Sequence, residues 1–232
     1  MAVTVSVYNQ TTALILSKGI DLNNLRIELL NNTAAFNPAH ASKEQVDNGS
    51  KATVTISIAT PGVITDNAHG FSAGQPVAFL TTGALPSGLT PGVFYYVVNP
   101  TTNNYQVALT AGGAAINTTG TQSGVHTRYA SGSYETYGNG WIPGGPTLAG
   151  TNVSSAALTD ATVNDAILSA TNPSITATGG SLPPTPAYNA ILYDATSMKP
   201  LMFISFGQAQ QAGITTNFAF LINANGLLNL TV

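Results

Sequence analysis

Residues 53–58 read Thr-Val-Thr-Ile-Ser-Ile, so apolar and hydroxyl side chains alternate strictly along this stretch. Successive side chains of an extended strand point to opposite faces, which places Val54, Ile56 and Ile58 on one face and predicts a half-buried β-strand. Further apolar runs are expected to form strands as well: Val77–Leu80, Val93–Val98 and Tyr105–Leu109. Turn residues rich in Gly, Pro and Asn separate these runs. Short strands interrupted by turns about every 8–12 residues are typical of a small antiparallel barrel or sandwich.

The first fifty residues follow another pattern. Residues 21–30 are compatible with a capped helix, but their apolar side chains also alternate with charged ones, which is the strand period. We therefore predict a strand from Asn24 to Leu30 and, before it, a short helix from Thr11 to Lys18. A polar loop follows, with one helical turn expected around His40–Val46.

The last part of the chain predicts a sheet. Three strands are expected near the C-terminus: Tyr188–Tyr193, Leu201–Phe206, and Phe218–Leu221 with Leu227–Val232. Asp194–Ser197 is expected to join the first two as a hairpin, and the proline-rich stretch Ser181–Pro186 to be a rigid connector. The N-terminal strand is the natural candidate to complete this sheet. The predicted fold is all-β, with a discontinuous β-sandwich-like outer domain (1–50 and 129–232) and an inserted small antiparallel β-barrel or sandwich module (51–128).

Composition excludes several classes of protein. Charged residues make up 6% of the chain, against about 25% in a typical soluble domain. No basic stripe exists, so nucleic-acid binding is not expected. No apolar run is long enough to span a membrane, and the first ten residues do not resemble a signal peptide. With no cysteine, disulfides and thiolate chemistry are excluded.

Few residues point to catalysis. His40, His69 and His126 are far apart in sequence, and no pair has the spacing of metal ligands. Asp160 and Asp165 are the closest informative pair of acids, but a spacing of five does not place them on one helical face. No serine lies in a Gly-x-Ser-x-Gly motif. The sequence therefore predicts no enzyme, no metal site and no cofactor.

The segment from 129 to 146 is rich in aromatic residues, among them the only tryptophan: Tyr129, Tyr134, Tyr137 and Trp141. Rigid amphipathic rings of this kind serve as core residues, as anchors of a subunit interface or as platforms on which sugars stack. All three roles remain open, and we treat the four residues as a possible interface.

Two stretches carry a resemblance to a known family. Residues 64–79 (ITDNAHGFSAGQPVAF) and 85–98 (LPSGLTPGVFYYVV), continued by 103–107 and 112–116, resemble a small β module that recurs in bacteriophage virion proteins. The module is similar to the first-catalytic-cysteine-half-like fold of ubiquitin-activating enzymes. The match covers about residues 52–126 and implies a structural role, since without cysteine no ubiquitin chemistry carries over.

The flanks also resemble a family of phage structural proteins. The matching motifs occur in the family's order: Ile27–Leu30, Gly138–Gly145, Ala190–Asp194, Lys199–Leu201 and Phe206–Gly207. The resemblance implies a virion component, made in the host cytoplasm.

A surface with so little charge favours burial against other subunits. We therefore expect a head decoration (cement) protein on the capsid surface, a homotrimer bound to the major capsid protein or other virion subunits. The alternatives are a tail, collar or fibre component and a carbohydrate-binding module for host adsorption.

Overall fold

The computed structural model describes residues 3–149, 152–155, 166–220 and 228–230, and the fold is nearly all β, as predicted. Two short helices and a 3-10 turn occur near the N-terminus: α1 (Asn9–Leu16), α2 (Lys43–Val46) and the turn Leu22–Asn24. The strands are β1 (Thr4–Val7), β2 (Leu25–Leu30), β3 (Ser50–Ile56), β4 (Ile64–Thr65), β5 (Pro76–Thr81), β6 (Phe94–Val98), β7 (Asn104–Ala108), β8 (His126–Ala130), β9 (Asn152–Ser155), β10 (Ala166–Ser169), β11 (Ser174–Thr176), β12 (Leu182–Asp194), β13 (Lys199–Ala212), β14 (Asn217–Ala219) and β15 (Leu228–Leu230). Within those ranges, no helix has the length and apolar character to cross a membrane.

Six antiparallel strands close into a barrel in the order β3-β4-β7-β6-β5-β8. The strands predicted in this part of the chain are confirmed. Val54 and Ile56 point into the barrel core, as their alternation requires. Ile58 does not join them: β3 ends at Ile56, and the Ile58 side chain is exposed.

A four-stranded antiparallel sheet has the order β1-β13-β12-β2. Strands from both ends of the chain therefore combine in one sheet, as expected. The hairpin between β12 and β13 is also confirmed: the Asp194 Oδ1 atom accepts a hydrogen bond of 2.9 Å from the backbone N–H of Thr196.

Two expectations for the C-terminal part are wrong. Strands β14 and β15 pair with β11 and β10 and not with the four-stranded sheet, where β2 and β13 already occupy both sides of β12. The stretch 181–186 is not a connector, because Leu182–Pro186 forms the start of β12. Proline has no N–H to donate, so pairing with β13 is irregular there and the Gln211 side chain donates to the carbonyls of Pro183 and Pro184.

Both faces of the four-stranded sheet are buried along β2 and the second half of β12. On one face Ile191 and Tyr193 belong to an apolar cluster with Ala78 and Phe94 of the barrel. The other face packs against a second cluster that contains Trp141. The barrel and the sheet thus share a cluster, and the division into an inserted module (51–128) and an outer domain stays a prediction.

Candidate functional site

A group of charged side chains is buried where α2, β2 and the loop after β8 meet. One carboxylate oxygen from each of Glu28, Asp47 and Glu135 lies within 4.8 Å of the other two. The ammonium nitrogen Nζ of Lys43 lies between them, 2.7 Å from Glu28 Oε2, 2.5 Å from Asp47 Oδ2 and 3.8 Å from Glu135 Oε2. We call these four residues the buried charge cluster.

The single turn of α2 places Lys43 and Asp47 next to each other, because residues four apart share a helical face. Asp47 Oδ1 accepts a hydrogen bond of 2.9 Å from the backbone N–H of Gly49, and Oδ2 accepts one of 3.0 Å from that of Gly132. A Cβ atom at Gly132 would lie 1.9 Å from the Asp47 carbonyl oxygen. Only glycine therefore fits at position 132, where the two backbone segments lie close together. Through its hydrogen bond to Gly132, Asp47 links α2 to the segment that follows β8.

Burial and the charges of the neighbouring groups together set the pKa values in the cluster. Burial raises the pKa of Glu28 well above its ordinary value, and the nearby Glu135 adds to this effect. Burial also raises the pKa of Glu135, although Lys43 opposes the shift. For Lys43, burial lowers the pKa, but the fields of Asp47, Glu28 and Glu135 together outweigh it and raise the pKa well above the ordinary value. The cluster thus holds an ammonium group among carboxyl groups, and burial disfavours the charged form of Glu28 and Glu135.

Three carboxylates supply the oxygen ligands that hard divalent cations prefer. Here the Lys43 ammonium lies where such a cation would bind. It also lies 5.2 Å from the centre of the Phe94 ring and 5.8 Å from that of Tyr193, both distances at which a cation is attracted to a ring face. The positive partner of the three acids is therefore a side chain of the protein itself.

A second buried ion pair lies in the barrel. Arg128 Nε is 2.9 Å from Asp66 Oδ2, and Nη1 of the same guanidinium donates to the carbonyl and hydroxyl oxygens of Ser50. The guanidinium also stacks over the Phe71 ring at 4.7 Å. Because Nε, Nη1 and the face of the guanidinium all have partners within the barrel, Arg128 and Asp66 hold the barrel strands together.

The three histidines are not brought together. His69 Nδ1 accepts a hydrogen bond from the backbone N–H of Phe71, which is the turn role that the sequence favours. His126 lies between the side chains of Thr81 and Gln122, and burial lowers the pKa of its imidazole. Burial likewise lowers the pKa of His40. Asp160 and Asp165 lie outside the described residues.

The four aromatic residues divide between two apolar clusters. Tyr129 and Tyr134 pack, partly exposed, against the cluster between barrel and sheet. Tyr137 packs against the opposite cluster, and burial raises its pKa to about 12. Trp141 is a core residue, 1% exposed, with its ring edge-on to Phe218. The interface role of the three tyrosines stays a prediction.

Sequence reasoning missed the buried charge cluster. Glu28 and Glu135 are 107 positions apart, and nothing in their immediate surroundings marks them as neighbours. One signal was available: Lys43 and Asp47 have the i, i+4 spacing of a helical ion pair, in a chain with very few charges. That spacing does not reveal that both faces of β2 are buried. Glu28 is buried because it lies on the second of these faces.

Comparisons with known proteins found no matching family model, no matching curated protein and no matching solved structure.

Proposed function

We propose that this protein is a non-enzymatic structural subunit of a bacteriophage virion, and that it acts as a head decoration (cement) protein which binds and stabilises the capsid lattice. The observation that carries the proposal is the outer edge of β1. Among the described residues, β1 pairs with β13 alone, and its other edge is unpaired. Such an edge is a template for pairing with another chain.

The side chains of β1 make this edge suited to association. Val5 lies opposite Ile204 and Val7 opposite Met202. Both valines therefore share a sheet face with residues of the apolar cluster that contains Trp141. Yet Val3, Val5 and Val7 are all exposed. Proteins that stay apart protect an edge with a charge, a proline or a bulge. The strand Thr4–Val7 has none of these, and its register with β13 is continuous.

The distribution of charge supports the same proposal. Nine of the fifteen charged side chains are buried: Arg26, Glu28, Lys43, Glu44, Asp47, Asp66, Arg128, Glu135 and Asp194. Within the described part of the chain, only four others remain to charge the surface: Lys18, Asp21, Lys51 and Lys199. A nearly uncharged exterior gives weak protection against association and is well suited to permanent contact with neighbouring subunits.

The resemblance of residues 52–126 to a module of phage virion proteins supports placing those neighbours in a virion. Capsid lattices offer three-fold positions, and homo-oligomers favour closed symmetry, so we propose a trimer seated on the major capsid protein.

The test compares two exposed valines. Val5 on β1 is 51% exposed and Val125 on the barrel is 53% exposed, so Val5→Lys and Val125→Lys add the same charge at equally open positions. The oligomeric state is measured by light scattering, and binding by co-sedimentation with expanded capsids of the encoding phage. We expect the wild-type chain and Val125→Lys to be trimeric and to bind, and Val5→Lys to be monomeric and unbound. A wild-type monomer that fails to sediment with capsids would overturn the proposal.

A further inference from the structure

The three carboxyl groups of the buried charge cluster are not equivalent in their partners. Asp47 accepts hydrogen bonds from two backbone N–H groups and from Lys43. Glu135 Oε1 accepts a hydrogen bond of 2.5 Å from the backbone N–H of Gly144. Glu28 differs: its side chain is completely buried, and neither of its oxygens accepts a hydrogen bond. Negative charge is therefore best accommodated on Asp47 and worst on Glu28.

Lys43 and Glu28 are in close contact. Nζ lies 2.7 Å from Glu28 Oε2, which is a normal distance for a hydrogen bond. By geometry this contact is an ion pair, and no other hydrogen-bond donor of the described residues reaches Oε2. The nitrogen is thus held in direct contact with the carboxyl group.

We propose that Lys43 and Glu28 become joined by an amide bond between Nζ and the side-chain carbonyl carbon of Glu28. Glu28 supplies the uncharged carboxylic acid, which is the form that an amine can attack. Asp47 supplies the base: its Oδ2 lies 2.5 Å from Nζ and is positioned to take a proton from the ammonium group. The fields of the three acids favour the ammonium form and oppose this transfer, so the bond should form slowly.

The reaction needs no other reactant. The ammonium group of Lys43 gives one proton to Asp47, and the free amine forms an N–C bond with the carboxyl carbon of Glu28. The C–O bond to the hydroxyl group breaks, and that hydroxyl leaves as water with a second proton from the nitrogen. One amide and one water molecule result from one acid and one amine, and Asp47 keeps the first proton. Reacting groups held in contact have effective concentrations of about 10⁵–10⁸ M, and a buried site excludes the water that would reverse the step.

The bond would join α2 to β2 and close the polar loop between them. Since Asp47 already binds the N–H of Gly132 at the exit of the barrel, the crosslink would anchor the barrel side of the molecule to the sheet. Such a link acts mainly by restricting the unfolded chain, as any covalent loop closure does. The crosslink would therefore increase the resistance of the folded chain to unfolding.

The test is the mass of the intact, folded, full-length chain. We expect it to be lower than the sequence mass by one water molecule. Trypsin cleaves after unmodified lysine, so the crosslinked chain should yield residues 27–51 as one peptide, uncut after Lys43 and lighter by one water, with no backbone fragments between positions 28 and 43. Lys51→Arg should show the same loss, whereas Lys43→Arg keeps a cation in the cluster but should show the full mass.

The mass of the wild-type chain tests the proposal even if the variants fail to fold. If the folded chain keeps its full mass after days at neutral pH, and trypsin cleaves after Lys43 once the chain is unfolded, the proposal is wrong. Loss of one water from Lys43→Arg as well would place the modification elsewhere and overturn it equally.

Discussion

The hydroxyl group of Tyr193 donates a hydrogen bond of 2.7 Å to the carbonyl oxygen of Gly144. Tyr193 lies on the central strand β12, and Gly144 on the loop that covers the edge of β2. Gly144 also donates its N–H to Glu135. This one glycine therefore links the sheet, the covering loop and the buried charge cluster, and several predictions depend on these contacts.

Replacing Gly144 by alanine should destabilise the protein strongly. Its φ is +72°, and an added Cβ would lie 2.3 Å from the Phe94 ring. Strain at positive φ and overpacking together should lower the free energy of unfolding by about 2–5 kcal/mol, measured by urea denaturation. Gly112→Ala is the matched control, because Gly112 has a φ of +69° and open space around it. Gly112→Ala should lower the free energy of unfolding only by the strain at positive φ, about 1–2 kcal/mol. Equal losses for both variants would show that overpacking against Phe94 contributes nothing.

Replacing Lys43 by methionine should leave three buried carboxyl groups without the nitrogen that offsets their charge, either as an ammonium group or, for Glu28, as the proposed amide. Removing one partner of a buried charge group typically costs about 3–5 kcal/mol. Lys51 pairs with Glu44 but is half-exposed, so Lys51→Met should cost less than about 1 kcal/mol. Thermal unfolding of both variants measures the difference. A Lys43→Met variant as stable as the wild type would mean that Lys43 does not stabilise the buried carboxyl groups.

Stability should fall as the pH rises above 4.5, in part because of Glu135. Burial raises the pKa of Glu135 above its ordinary value of 4.5, so from that pH upward the folded chain holds this proton more firmly than the unfolded chain. The folded state then binds more protons, and the free energy of unfolding decreases with pH. Glu135→Gln keeps an acceptor for the Gly144 N–H but cannot ionise, so its stability should fall less steeply between pH 4.5 and 8. If the free energy of unfolding fell equally steeply with pH in the variant and the wild type, Glu135 would not be the group responsible for the decrease.

Trp141 should behave as a core residue. Trp141→Ala should lower the free energy of unfolding by about 3–5 kcal/mol, whereas the adjacent, half-exposed Ile142→Ala should change it by about 0.5 kcal/mol or less. Because Trp141 is the only tryptophan, the fluorescence of the folded chain reports on it alone and should be blue-shifted. A red-shifted emission that a soluble sugar quenches would instead favour the carbohydrate-stacking role.

The strands of the barrel could be predicted because each carries its own signal. The alternation at 53–58 and the apolar runs at Val77–Leu80 and Val93–Val98 are local patterns, and so is the turn at Asp194. The positions of β14 and β15 could not be predicted in the same way. Which strand pairs with each edge of β12 depends on competition between segments that are distant in sequence. In the structure β2 pairs with one edge and β13 with the other, so neither edge is left for β14 or β15.

The buried charge cluster could not be predicted for a related reason. In β2, Arg26 and Glu28 alternate with leucine and isoleucine, which normally indicates one face in water. The structure buries both faces, because the barrel and α2 cover the second one. Periodicity describes one strand at a time and contains no information about what packs on its polar side.

The burial of most charged side chains has a consequence for any assembly built from this chain. Contacts made through methyl, hydroxyl and amide groups contain few fixed charges that dissolved ions could shield. Their strength should therefore change little between dilute buffer and concentrated brine, so a coat held together in this way tolerates large swings in salinity.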